Sequence, residues 1–314
     1  MKVDSYGLET DVHFPTDLNL MWDAGRKCVD LIEKFRRRGS ALPGWRKAKA
    51  WRRQLKNLQR TTSRVVDRGG PNKEARVKSA VREYLAVGRA LEIKVRASLM
   101  ALCDQPVDLA AWEELESFQR MLAKHLDLVE RRLLKAEALP AHEKVFSLSE
   151  PHTEWIQKGK QRPNVELGHK LLLATDQQQL IQDYAVLLQA AEIDQSIPVT
   201  DRLLGRYGAG SVASVSFDKG FTRTADRELL RLYVPEVVMP KRGKKFVALR
   251  RQHSAVESES NSLEQHGLNR CLDVGINGYL RYVGYGVMSY NLHVIGRELL
   301  ACQRARDNTL ALAA

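Results

Sequence analysis

From about Leu18 to Leu139 the sequence carries helical periodicity and no convincing strand, while strand-like runs stand on both sides of it. A sheet whose first strand precedes that block, and whose other strands follow it, must carry the block as an insertion. Four helical stretches are predicted, near 18–38, 44–66, 72–102 and 108–138. Gly39 to Gly44, Gly69-Gly70-Pro71 and Asp104-Gln105-Pro106 separate them. Thr16 or Asp17 is placed to cap the first. The last puts Leu115, Phe118, Leu122, Leu126, Val129 and Leu133 on one packing stripe.

Residues 2–10 read as a strand that begins almost at the first residue. After Pro140, Val165, Leu167, Leu171 and Leu173 read as a second strand and Leu180 to Leu188 as a third, joined across the polar Asp176-Gln177-Gln178-Gln179. A helix around 192–207 leads to Val212, Ala213, Val215 and Phe217, a short buried strand. That strand ends in Asp218-Lys219-Gly220, a carboxylate, a cation and a turn-forming glycine. A helix near 224–233 precedes the strand Glu236-Val237-Val238-Met239, closed by Pro240. The basic loop Lys241-Arg242-Gly243-Lys244-Lys245 then opens a helix over about 248–265, and a last helical segment covers most of 276–304. The order predicts an α/β fold, a mixed sheet with helices on its faces and a large all-helical insertion after the first strand.

The charge is concentrated. The chain is +12 overall, but residues 26–102 hold 22 Lys and Arg against 6 Asp and Glu, a net +16 that leaves the remainder at −4. A basic block of that size, with Trp45 and Trp51 interleaved, predicts contact with phosphates and salt-dependent, largely sequence-independent binding. The four cysteines are far apart and show no Cys-x-x-Cys spacing, which suits a reducing compartment and no zinc site. Met1-Lys2-Val3-Asp4 leads straight into polar residues and does not read as a signal peptide. The apolar stretch Ile276 to Leu300 is interrupted by Arg281, His293 and several glycines, a poor membrane span. A soluble, intracellular protein is expected.

Three carboxylates stand where sheet chemistry is usually placed. Asp4 lies on the first strand and Asp218 ends the strand after the 192–207 helix, at a sheet rim. In the 248–265 helix Leu249, Val256 and Leu263 recur every seven residues and should face the core. Arg250, His253, Glu257, Asn261 and Glu264 form a polar stripe beside them, so Glu257 reaches toward a rim while Glu259 points more nearly away. Carboxylate oxygens suit Mg²⁺, and two such ions can activate an attacking oxygen and steady a leaving one. On an alternating strand Asp4 and Glu9 face opposite sides, which favours a structural role for Glu9, as for His13.

Four ordered stretches together resemble the DDE transposases of bacterial insertion sequences, whose catalytic core is RNase H-like. They are Asp4-Ser5 with Glu9 and His13-x-Pro15-Thr16-Asp17; Lys158-Gly159-Lys160 with Val165-Glu166-Leu167-Gly168-His169-Lys170; Asp218-Lys219-Gly220-Phe221; and His253-Ser254-Ala255-Val256-Glu257 running to His266-Gly267-Leu268. The resemblance implies that Asp4, Asp218 and Glu257 are the catalytic, metal-binding triad, working with two Mg²⁺ ions for which Mn²⁺ can substitute. It implies cleavage and joining of double-stranded DNA, transposon ends and target, by a homo-oligomer in the bacterial cytoplasm at the nucleoid, with no membrane.

The DNA-contacting candidates are Lys158, Lys160, Lys170, Lys219, Lys241, Arg242, Arg250 and His253, with Arg46, Lys47, Arg52 and Arg53 in the basic block. Lys158, Lys160, His169 and Lys170 read either as phosphate contacts or as solvated charges. The expected division is 1–17 as first core strand, 18–145 as helical insertion, 146–270 as the rest of the core and 271–314 as a helical segment packed on it. Relatives carry a helical DNA-binding region before the first catalytic Asp, which here is the fourth residue. The resemblance therefore implies a chain lacking that upstream region, with a non-catalytic DNA-binding remnant as the alternative. Glu264 stands where many relatives carry a basic residue.

Overall fold

The structure, a computed structural model, describes residues 1–157, 164–221, 223–239 and 262–313. The chain divides into two compact units, Met1–Val12 with His152–Ala314, and His13–Pro151.

The second unit is all helical. It holds α1 (Asp17–Arg37), α2 (Ala48–Asp67), α3 (Lys73–Cys103) and α4 (Leu109–Leu133). Thr16 caps α1 by accepting from the Asn19 N–H, and Asp108 caps α4 by accepting from the Ala111 N–H. Their apolar stripes meet in one core around Met21, Ile32, Leu55, Tyr84, Leu91 and Leu122. Two boundaries differ from the periodicity. The second helix starts at Ala48 rather than 44, because Gly44 turns with φ +80° and the next residue, Trp45, points inward. The fourth ends at Leu133 rather than 138, with Ala136 at φ +53° just beyond it.

Trp45 is a core residue. It is 1% exposed, donates its indole N–H to Ser98 Oγ at 2.7 Å and lies under the Lys94 ammonium. The interleaving of Trp45 with basic residues therefore reflects helix packing, and this ring is not available to stack on bases.

The first unit is a mixed α/β layer structure. Its strands are β1 (Lys2–Thr10), β2 (Glu154–Gln157), β3 (Val165–Thr175), β4 (Ile181–Leu187), β5 (Ser214–Phe217), β6 (Glu236–Val238) and β7 (Arg270–Cys271). Its helices are α5 (Ser196–Tyr207), α6 (Thr224–Leu230) and α7 (Gly275–Ala313). Among the described residues the sheet order is β2-β3-β1-β5-β6, with β4 also on β3 and β7 also on β1. β1 and β3 pair antiparallel from Lys2↔Thr175 to Glu9↔Gly168, and β5, β6 and β7 run parallel to their neighbours.

Period-two alternation gives β1 two buried faces. Val3 joins Leu172, Val215 and Phe217 in one core, while Leu8 joins Leu171, Leu173 and Tyr279 in the other. Sequence analysis misses β2, which buries Ile156 alone and so carries no apolar run, and β7, which is only two residues long. Elsewhere the hairpin turn at 176–179 forms as expected, with Gln179 at φ +69° and the Asp176 carboxylate accepting from the backbone N–H groups of Gln178 and Leu180. The helix expected from 192 begins at Ser196 after a short turn, and the one expected to 233 ends at Leu230.

Gly168 sits where β3 has a strand on each side. A Cβ there would overlap the Leu8 carbonyl oxygen and stand 2.8 Å from the Glu9 Cα, so the close approach of the two backbones requires glycine. We expect Gly168→Ala to destabilise the chain by at least about 2 kcal/mol in urea denaturation. A second stability prediction concerns His125, which is 0% exposed inside the helical unit and has no protein hydrogen-bond partner for either ring nitrogen. Burial lowers its pKa from 6.5 to about 4. The folded state thus binds fewer protons than the unfolded state between those values, and stability falls as pH drops from 6.5 toward 4, by about 3 kcal/mol. His125→Leu is expected to stabilise the chain at neutral pH and to remove that share of its acid sensitivity, read by urea denaturation at pH 7 and pH 4.5.

Candidate functional site

Two of the three carboxylates singled out in the sequence belong to neighbouring segments of the sheet, Asp4 on β1 and Asp218 directly after β5. β1 and β5 are neighbouring parallel strands in the register Lys2↔Ser216 and Val3↔Phe217. Asp4 and Asp218 are the next residues along the two segments, Asp218 directly after the end of β5. Val3 and Phe217 point into the same core, and alternation within β1 turns Asp4 to the opposite face, the one that carries Tyr6 and Leu8. Asp4 is half-buried, and its Oδ1 accepts from the Ser5 N–H at 2.7 Å. Asp218 is exposed at the end of its strand, where its carbonyl accepts from the Phe221 N–H to close the turn.

Glu257 lies outside the described residues, as do Lys158, Lys160, Lys241, Arg242, Arg250 and His253; for Lys219 the backbone alone is described. The described chain resumes at residue 262. Leu263 is buried in the core on the face of Asp4, and Glu264 lies near Tyr6. Burial first, and the Glu264 charge second, hold the Tyr6 phenol far above its ordinary pKa, so this ring is a neutral hydrogen-bond donor, placed 3.2 Å from the Leu268 carbonyl.

On the other face of β1 a carboxylate that sequence reasoning missed takes part. Glu192 accepts a short hydrogen bond from Ser5 Oγ and pairs with Lys170 Nζ at 3.0 Å. A Cβ on Gly220 would stand 2.7 Å from its Oε2. Glu192 thereby ties β1 to β3 and lies close against the turn after Asp218. It also neutralises Lys170, whose charge is engaged within the protein. Glu192 sits in a three-residue turn, Glu192–Asp194, and no local pattern marks it.

His169 is likewise engaged. It is 1% exposed, with Nδ1 at 3.0 Å from Glu154 Oε1 and Nε2 at 2.8 Å from His152 Nδ1. A carboxylate only accepts, so His169 donates from Nδ1 and accepts at Nε2 from the His152 N–H. Burial lowers the His169 pKa despite the Glu154 charge. The ring is a packed, neutral element and not a surface phosphate contact. Glu9 pairs with Arg270 at 3.0 Å where β7 joins β1, and His13 pairs with Asp23 at 3.2 Å.

In the helical unit the basic excess gathers on α2. Lys49, Arg53, Arg60 and Arg64 are exposed at spacings of four, seven and four residues, one helix face about 22 Å long, with no ion-pair partner among the described residues. Arg46 and Lys47 are exposed just before the helix. Arg52, by contrast, is half-buried and paired with Asp30 at 2.8 Å. Periodicity could have selected Lys49, Arg60 and Arg64 over Arg52, had the apolar face of α2 been used to orient the helix.

Among the described residues no group of three or more His, Cys, Asp or Glu is placed to hold a metal ion, and all four cysteines are free. No described helix is long and apolar enough to cross a membrane. No family model, curated protein or solved structure matches the chain.

An unpaired cationic face predicts counterion release on binding a polyanion. With a 30-base-pair duplex of arbitrary sequence, the Arg53→Gln/Arg60→Gln double variant should bind about 10-fold or more weakly than the parent. The slope of log affinity against log salt should shrink by about 2, at unchanged melting temperature.

Proposed function

We propose that the protein is a metal-dependent DNA transposase of the DDE type, which cleaves the ends of an insertion sequence and transfers the exposed 3′-OH to target DNA. The observation that carries this reading is the parallel pairing of β1 with β5, whose last pair, Val3↔Phe217, stands one residue before Asp4 and Asp218. The strand sequence supports an RNase H-like core: β1, β3 and β4 make an antiparallel run, and β5 and β6 add in parallel on the other side of β1. The helical unit leaves and rejoins this sheet between β1 and β2, as an insertion would.

The donors fit the group that this chemistry requires, since two neighbouring carboxylates offer hard oxygen ligands to Mg²⁺ or Mn²⁺. Glu257 is the third ligand in this proposal, on the strength of the sequence resemblance. The bound ions would supply activation of the attacking oxygen and charge stabilisation at the leaving one. The chain's own contribution is to fix position. The Ser5 N–H orients Asp4, and Glu192, bonded to Ser5, packs against Gly220 in the turn that follows Asp218. The α2 face would retain duplex DNA through its phosphates, with a homo-oligomer assembling on DNA in the bacterial cytoplasm at the nucleoid.

The test uses purified full-length chain, Mg²⁺ and a plasmid that carries the DNA flanking the gene on both sides. Metal-dependent nicking or joining is expected. Asp4→Ala and Asp218→Ala should each lower it by about 10³-fold or more while leaving duplex binding within about twofold. Undiminished cleavage by Asp218→Ala would sink the proposal. Salt-sensitive binding with no cleavage by the parent chain would favour a DNA-binding protein without catalytic activity.

A further inference from the structure

Two imidazoles meet outside the carboxylate site. His266 lies in the turn Glu264–Leu268 and His293 on α7, and their ring centres are 4.8 Å apart with the planes inclined at 57°. His266 is half-buried and His293 is exposed. Neither ring makes a hydrogen bond or an ion pair with another described residue, so their nitrogens are left for a ligand or for water. Both stand on firm supports. Gly267 turns with φ +90°, and its carbonyl accepts from the Tyr282 O–H at 2.8 Å, which pins the turn to α7. The next carbonyl, that of Leu268, accepts from the Tyr6 O–H on β1. Tyr290, buried one helical turn before His293, meets the His266 ring edge-on at 6.0 Å. Arg297, the cation one turn beyond His293, is drawn to Gln179 Oε1 at 3.2 Å.

We propose that His266 and His293 form a two-imidazole site for one divalent transition-metal ion of the Ni²⁺, Cu²⁺ or Zn²⁺ class. Imidazole nitrogen suits these ions, whereas Mg²⁺ takes oxygen ligands. An ion about 2.1 Å from a ligating nitrogen lies about 3.2 Å from the ring centre, so two rings that share it at about 90° to 109° have centres about 4.5–5.2 Å apart. The observed 4.8 Å falls in that range. The inclination matters as much. A bound ion lies in the plane of each ring that holds it, and two parallel, offset rings have no such point in common. Rings inclined at 57° do. Water completes the shell, since no third His, Cys, Asp or Glu joins the pair among the described residues. The ion's role is structural: it cross-links the turn to α7, so its binding energy adds to the stability of the fold. The proposal does not depend on the reading of the carboxylates, which take a different class of ion.

Calorimetric titration of the full chain with Ni²⁺ decides it, with about 1 mM Mg²⁺ present to occupy carboxylate sites. The parent is expected to bind one Ni²⁺ with a dissociation constant below about 100 μM, and its melting temperature to rise with Ni²⁺. His293→Gln and His266→Gln should each weaken binding by about 10-fold or more and remove that rise, at unchanged circular dichroism without metal. Pulsed electron paramagnetic resonance of the Cu²⁺-loaded chain should show two imidazole nitrogens in the parent and one in each variant. Should His266→Gln fail to fold, His293→Gln, at an exposed position, gives the same reading. Weaker binding by the parent, or a smaller loss in the folded His293→Gln variant, overturns the proposal.

Discussion

The antiparallel ladder between β1 and β3 is the contact on which the sheet unit depends. It joins residues 2–9 to 168–175 across the whole helical excursion, and every other strand attaches to one of these two or, in the case of β6, to β5. Closing so long a loop costs chain entropy only logarithmically in its length, so an insertion of this size is thermodynamically tolerable once the ladder is formed. The close backbone approach at Gly168 marks how tightly the ladder is drawn.

Strand alternation then assigns the two faces of β1 different work. Val3 and Leu8 are each fully buried, on opposite sides, and Asp4 follows Val3, whose partner Phe217 is the last residue of the parallel β5. Ser5, facing the other way, uses its hydroxyl on Glu192 and its N–H on Asp4. One residue thereby couples the two faces of the strand.

The basic excess is distributed by the same packing logic. Of the cations in 26–102, several are spent within the helical unit: Arg26 and Arg52 on Asp30, Lys27 on Glu114, Arg38 on Asp108 and Arg89 on Glu130. Exposed intramolecular pairs of this kind add little stability. They do decide which cations are left for an outside partner, and Lys49, Arg53, Arg60 and Arg64 on the α2 face are among those. Trp45 shows the converse: a residue that looks like a surface stacker in the sequence is drawn inward by its own indole hydrogen bond.

The sequence alone determined the element order. Helical periodicity separated 18–139 from its surroundings, alternation located β1, β3 and β4, and the Asp-Lys-Gly ending marked the close of β5, because those signals are local. It also named Asp4 and Asp218 as carboxylates worth following. What put their segments next to each other was the parallel register of β1 with β5, a contact between residues more than two hundred positions apart that no local pattern encodes. Glu192, the partnering of Lys170, the interior placement of His169 and the approach of His266 to His293 were likewise decided by tertiary structure. In each, the deciding quantity is which groups lie close in space, and short-range periodicity reports only which side of an element a residue is on.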